Sequence, residues 1–163
     1  MKTTLGIDFG INGGLAFITE DDDVVVMDMP THQISVGGKK KTRLDMYEIA
    51  RIIDCHDIDI AIGESISSSP QMGVSSAFQF GEGFGLLKGI IAANFIPLTL
   101  VRPQEWKKAY GLIGQDKSAS RAKASSIFPE YACEWSLKKH DGRAEAVLIG
   151  LWGKHNAIKR SSV

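Results

Sequence analysis

Residues 5–17, LGIDFGINGGLAF, constrain the fold more than any other stretch of the chain. Two short apolar runs flank a glycine-bearing turn, the layout of a β-hairpin. The first run stops at Asp8, which places a carboxylate at the end of a buried strand. Such an acid has two chemical uses: the glycine turn beside it can approach a nucleotide phosphate, or the carboxylate can hold a metal ion. The turn alone leaves both open.

The surrounding pattern narrows the choice. Residues 3–8, 14–19 and 24–29 are apolar and β-branched with turn signals between them, so they read as a three-strand antiparallel meander. The acidic run Glu20–Asp23 reads as its exposed second turn. A polar loop with Gly37, Gly38, Lys39, Lys40 and Lys41 follows, and residues 44–54 space Leu44, Met46, Ile49, Ile52 and Ile53 like an amphipathic helix. Residues 58–64 return to a strand ending at Glu64. A second α/β segment predicts a long helix around 74–94, a strand near 97–101, helices near 103–109 and 117–127, and a last helix from about 141. Strands mixed with helices in this order predict a layered α/β domain. At 163 residues the chain is one domain, 1–163, and small for two lobes closing on a nucleotide. No apolar run reaches the roughly 18 residues of a membrane span, and MKTTLGIDFG lacks a signal-peptide layout. Cys55 and Cys133 fall in no paired motif, which suggests reduced structural thiols and a cytoplasmic setting.

Asp8 and Glu64 occupy equivalent strand ends, and neighbouring strand ends in one sheet lie side by side. A further pair comes from KKHDGRAEAVLIGLWG (138–153), where Asp141 and Glu145 are four apart on one helical face. Ala144, Val147, Leu148 and Leu151 would anchor that helix to the core. Four like charges in one pocket repel by several kcal/mol unless cations or protons offset them. All-oxygen donors suit Mg²⁺ or Mn²⁺, whereas zinc would draw His or Cys. Two ions about 4 Å apart can activate water and balance the leaving oxygen of a phosphodiester. Read singly, each acid is also a common turn former, helix cap or surface charge.

Four patches, LGIDFGINGGLAF, IGES, SSAFQFGEGFGLLKGIIAA and HDGRAEAVLIG, in this order and spacing, make the chain resemble the RuvC-type Holliday-junction resolvases. These are a branch of the RNase H-like superfamily, and the resemblance is strongest to phage-encoded and organellar variants. RPQEWKKAYGL (102–112), Lys117 and IFP (127–129) extend the similarity over nearly the whole chain. The resemblance implies an RNase H-like mixed five-stranded sheet flanked by helices. It implies a homodimeric, Mg²⁺-dependent endonuclease, with Mn²⁺ as the alternative ion, that makes paired nicks in four-way DNA junctions. Asp8, Glu64, Asp141 and Glu145 match the family's four acidic positions as metal ligands and catalytic groups, with Asp8 touching both metals. Lys117 matches a region that supplies a basic residue near the scissile phosphate. A two-fold dimer would present two sites to a junction of similar symmetry. The setting would be cytoplasmic, the host's if the chain is phage-encoded.

Two departures stand out. The last-helix acids are commonly three apart in bacterial members, and here they are four apart with His140 adjacent as an alternative ligand or base. The stretch SISSSPQMG (65–73) has no aromatic residue where cellular members often stack one on a junction base.

Net charge is zero but uneven. Residues 1–101 carry 7 Lys and Arg against 13 Asp and Glu, while residues 102–163 carry 12 against 6. That polarity is compatible with a basic binding surface beside an acidic metal site. Lys39, Lys40, Lys41 and Arg43 form one basic group; Lys107, Lys108, Lys117, Arg121 and Lys123 form another. Lys117, Arg121, Lys40 and Lys41 are the chosen nucleic-acid contacts.

Gly81, Gly85 and Gly89 recur every fourth residue of the long helix, each costing about 1 kcal/mol against alanine. Close approach by another backbone would compensate, from the sheet beneath or from a second subunit, with packing inside the subunit the favoured reading. Two other functions use the same fold: a branched-DNA-binding or scaffolding protein without nuclease activity, and a nuclease that processes structured RNA.

Overall fold

A computed structural model describes residues 2–160 apart from 67–71, with side chains of the last helix described to residue 156. The part of the aromatic-free stretch after Glu64 that falls on 67–71 lies outside the described residues. Five strands form the main sheet: β1 (Thr3–Asp8), β2 (Gly14–Thr19), β3 (Val24–Asp28), β6 (Ile60–Glu64) and β7 (Leu98–Val101). Their spatial order is β3-β2-β1-β6-β7, with β1, β2 and β3 antiparallel and β6 and β7 parallel to β1. The expected mixed five-stranded sheet is therefore present. Helices α1 (Met46–Asp54), α2 (Val74–Ala93), α3 (Pro103–Ala109), α4 (Lys117–Ile127) and α5 (Asp141–Arg160) flank it, and the sequence boundaries hold to within two residues.

Period-two alternation divides the core between the two faces of the sheet. Leu5, Ile7, Leu15, Phe17 and Ala61 point to one side, where Ile49, Ile52 and Ile53 of α1 and Leu87 and Ile91 of α2 cover them. Ala16, Ile18 and Ile62 point to the other, against α5 and the buried Trp106 and Trp135. Helix α1 starts where Asp45 accepts the Glu48 backbone N–H at 3.1 Å, a side-chain N-cap.

Helix α5 lies directly on the β1 backbone. A Cβ on Gly6 would sit 2.1 Å from the Ala146 carbonyl oxygen, and one on Gly142 would sit 2.4 Å from that of Asn12. Only glycine fits these crossings, so the first turn of α5 is pressed against the β1–β2 turn that carries Asp8. Arg143 fastens the same turn sideways, donating to both Asp28 carboxylate oxygens at 2.7 and 2.9 Å.

Three expectations change. The polar loop after β3 is a separate antiparallel ribbon, β4 (Thr31–Val36) and β5 (Lys39–Leu44), joined by Gly37-Gly38 with φ of 57° and 76°. Two successive positive φ angles make the two-residue turn whose twist suits a hairpin. Among the described residues nothing packs against Gly81, Gly85 or Gly89; outside their own helix backbone a Cβ on any of them would meet no atom within 4 Å. Packing among the described residues of the subunit therefore does not explain the stripe. Cys55 and Cys133 are exposed free thiols and take no part in the core. No helix among the described residues is long and apolar enough to cross a membrane.

Candidate active site

Parallel pairing of β1 with β6 sets Ile7 against Gly63, so the next residue on each strand, Asp8 and Glu64, emerges at the same sheet edge. Helix α5 supplies Glu145 from above, buried with only 7% of its surface exposed. Lys117, the first residue of α4, reaches Glu145 Oε2 at 3.4 Å, and the buried Ser120 hydroxyl lies 3.4 Å from Oε1. Asp8 and Lys117 line one open cleft of about 280 Å³.

Asp8 reports the electrostatics of this cleft. Burial, then the Glu145 charge, push its carboxyl up from 3.8 to about 8; Lys117 opposes them, Glu64 adds to the rise, and Lys107 opposes it. A carboxylic acid that holds its proton at neutral pH lacks sufficient positive charge nearby. Lys117 shows the complementary effect. Burial disfavours its charge, but Glu145 and Asp8 outweigh burial and hold the ammonium above its ordinary range.

Glu64 is oriented from below. The fully buried Trp106 of α3 donates its indole N–H to Glu64 Oε1 at 2.9 Å, which fixes one carboxylate oxygen. A Pro at the start of α3 and Glu105 accepting the Arg102 backbone N–H at 3.0 Å set that short helix beside β7.

Asp141 is placed differently from the other three acids. Its Oδ1 lies 2.8 Å from Arg121 Nε, but the N–H is not aimed at it, so the contact is an ion pair without a hydrogen bond. Arg121 also donates to the Ser136 carbonyl at 3.2 Å. This predicted DNA contact is thus engaged within the protein, tying α4 to the start of α5. His140 is buried, and burial followed by the Arg143 charge holds its pKa below the usual value. The other charges acting on it are those of Asp28, Lys139 and Glu134. Lys40 and Lys41 lie on β5 of the ribbon, opposite Ser35 and Ile34 of β4.

Among the described residues no three His, Cys, Asp or Glu side chains are gathered closely enough to hold a metal ion by themselves. Asp8, Glu64 and Glu145 converge as interacting charges, not as a closed ligand shell. Mg²⁺ accepts such an open set, because it is commonly held by one or two carboxylates, with waters and substrate phosphates completing its shell. An all-oxygen donor set and a carboxylic acid short of positive charge both fit a hard divalent cation. Trp106, Lys107 and Ser120 are the contributors that sequence reasoning had not given a role at the acids. RPQEWKKAYGL carried the first two, but nothing in the chain order ties Trp106 to an acid 42 positions earlier.

No protein-family profile matches the chain, and no curated protein sequence matches it. Solved structures do. The chain is similar to Thermus thermophilus RuvC in complex with a Holliday junction substrate, with TM-score 0.63, 13% identity, and coverage of 98% of this chain and 96% of that one. It is similar to the yeast mitochondrial Holliday junction resolvase Ydc2, with TM-score 0.57, 13% identity, and coverage of 98% and 80%. It is also similar to the fowlpox virus Holliday junction resolvase, with TM-score 0.53, 13% identity, and coverage of 95% and 99%.

Proposed function

We propose a nuclease function for this chain, which shares the fold of RuvC-type resolvase structures over nearly its whole length. On that scaffold we propose a Mg²⁺-dependent endonuclease, with Mn²⁺ as the alternative ion, that resolves four-way DNA junctions by paired nicks. The observation that carries the proposal is the strand-end acid cluster with its under-compensated charge, expressed in the raised pKa of Asp8. The fold neighbours named for Holliday junctions support the choice of substrate.

In this reading Asp8, Glu64 and Glu145 supply the carboxylate oxygens, and Asp141 joins them when substrate phosphate draws Arg121 away. Mg²⁺ held by these oxygens would supply Lewis acidity, to lower the pKa of a water and to balance charge on the leaving oxygen. Trp106 keeps Glu64 in one orientation through its 2.9 Å hydrogen bond. Lys117, at the mouth of the cleft, offers an ammonium to the scissile phosphate. Lys40 and Lys41 extend the positive track along the ribbon and neutralise phosphates further out. A nuclease-free scaffold would have no use for a carboxylic acid buried at the cost of its ionisation.

Paired nicks require two sites, and α2 offers a face for a second copy. Val74 and Phe78 are 88% and 72% exposed, and the open Gly81, Gly85 and Gly89 continue the same face. A facing helix could approach closely there, which supports a homodimer as the functional unit. Labelled four-way junction, replication fork, flap and linear duplex incubated in parallel with Mg²⁺ test the proposal. Symmetric nicking of the junction is expected; preferential cleavage of structured RNA, or no cleavage of any substrate, would contradict it.

A further inference from the structure

The β4–β5 ribbon adds almost nothing to the core. It pairs with no strand of the main sheet, and among the described residues only Leu44, at its foot, packs against a core cluster. A two-stranded hairpin gains little stability by itself. Its foot is nevertheless fixed. The Asp45 N–H donates to the Pro30 carbonyl at 2.9 Å, and the Leu44 side chain occupies the space that a Cβ on Gly83 of α2 would need. Leu44 shares a cavity of about 230 Å³ with Gly10 and Ile11, and those two residues also line the Asp8 cleft. The ribbon therefore springs from beside the candidate active site and runs outward for six residues, about 20 Å, to its glycine tip.

Register sorts its faces. Residues directly opposite each other share a face, so Gln33 with Thr42 and Ser35 with Lys40 lie on one, and His32 with Arg43 and Ile34 with Lys41 on the other. His32, Ile34 and Arg43, with Thr42 and Leu44 nearer the foot, line a cavity of about 290 Å³ against α2. Gln33, Ser35 and Lys40 stay exposed and outside it. The stretch 31–44 carries Lys39, Lys40, Lys41 and Arg43 with no Asp or Glu, so its charge complements a polyanion.

We propose that this ribbon lies in the major groove of one duplex arm of the junction, with Gln33 and Ser35 against the base edges and the lysines on the flanking phosphates. The inference rests on the nuclease reading and adds to it a sequence preference set in the arm, apart from the cut itself. Groove width selects the site. Two strands about 5 Å apart, with their side chains, fill a major groove about 12 Å wide and are excluded from a minor groove of about 6 Å. Gln33 is prepared for reading. Its amide N–H donates to the Thr42 hydroxyl at 2.8 Å, which holds the side chain and leaves the second N–H and the carbonyl oxygen open. One donor beside one acceptor is the pattern that adenine N7 and N6 require. A ribbon of this length, rooted next to the cleft, places the reading within roughly one helical turn, about 34 Å, of the cut.

The test uses full-length protein and four-way junctions whose arms are randomised over the ten base pairs flanking the mapped cut. Sequencing of the cut products is expected to show an adenine preference in one arm that Gln33→Ala erases. Placing 7-deazaadenine at that position removes the N7 acceptor from the major groove. It should lower wild-type cleavage, and junction binding in the Glu64→Gln background, about 5- to 150-fold, the discrimination of one bidentate contact. The Gln33→Ala protein should not respond to it, whereas a merely structural Gln33 would change all sequences equally. An unchanged product distribution in Gln33→Ala, or no wild-type response to 7-deazaadenine, would overturn the groove reading while leaving the nuclease reading intact. An arm preference that persists in binding, without cleavage of any junction, would refute the nuclease reading alone. Failure of the unmodified protein to bind or cut any junction would refute both.

Discussion

Replacing Asp8 with Asn should make the metal-free protein more stable, and by an amount that grows with pH. The native carboxyl titrates near 8, against 3.8 for the free side chain. Between those values the folded chain holds a proton that the unfolded chain has released. Stability then falls as pH rises, by up to about 1.4 kcal/mol per pH unit. At pH 7 the accumulated penalty has an upper bound of about 4 kcal/mol, and water entering the open cleft reduces it to about 2–4 kcal/mol. Asparagine preserves the shape and removes the titration. His140 works in the opposite direction: its lowered pKa means that the unfolded chain takes up the proton first, so its contribution grows as pH rises toward 6.5. Both proteins contain His140, so the difference between them isolates Asp8. Urea unfolding in EDTA from pH 5 to 8 should show a widening gap in favour of Asp8→Asn. By pH 7 that gap amounts to about 4–16 °C in thermal midpoint for a chain of this size. Adding Mg²⁺ should close it by stabilising only the wild type, with proton release. A gap that does not change with pH, or a less stable Asp8→Asn at pH 7, would refute the electrostatic reading of the cleft.

Trp106→Phe keeps the buried ring but removes the donor to Glu64. It should raise the Mg²⁺ concentration needed for half-maximal cleavage about 10- to 100-fold, with little change in junction affinity. Lys40→Gln and Lys41→Gln should each flatten the slope of log binding constant against log salt by about one, without altering the cut position; titrations between 50 and 200 mM salt measure this. Gly85→Glu on the open face of α2 should leave the fold intact by circular dichroism and convert a dimer to a monomer by sedimentation. It should also replace paired nicks with single ones.

Much of the fold is legible because its signals are local. The alternation in Leu5–Ile7 and Leu15–Phe17 and the helical spacing of Ile49, Ile52 and Ile53 reflect faces that must be buried, and burial writes a period into the chain. The ribbon of β4 and β5 hides for the opposite reason. It lies off the main sheet, so KKKTRL is mostly polar, and Gly37-Gly38 between two β-capable runs was its one readable mark. The glycines show a different limit. Composition reveals that a glycine is costly, not which neighbour requires it. The stripe at Gly81, Gly85 and Gly89 is conspicuous yet open, while the single glycines Gly6 and Gly142 carry the close crossings that seat α5.

The acids divide in the same way. Strand-end position predicts Asp8 and Glu64, and helical spacing predicts Glu145, because regular geometry projects each to a known place. Asp141 begins its helix, where the partner is set by tertiary packing, and the structure gives it Arg121. Trp106 reaches Glu64 only because α3 follows β7, the strand paired with β6.

The central claim is that these strand-end carboxylates cut DNA at a junction. The direct measurement is Mg²⁺-dependent cleavage of a labelled four-way junction by wild type and by Glu64→Gln, with binding of the same junction measured alongside. The wild type should make symmetric paired nicks, and Glu64→Gln should bind with similar affinity while losing cleavage by at least about 100-fold. Full cleavage by Glu64→Gln, or a wild type that binds the junction and leaves it uncut with both Mg²⁺ and Mn²⁺, would contradict the claim.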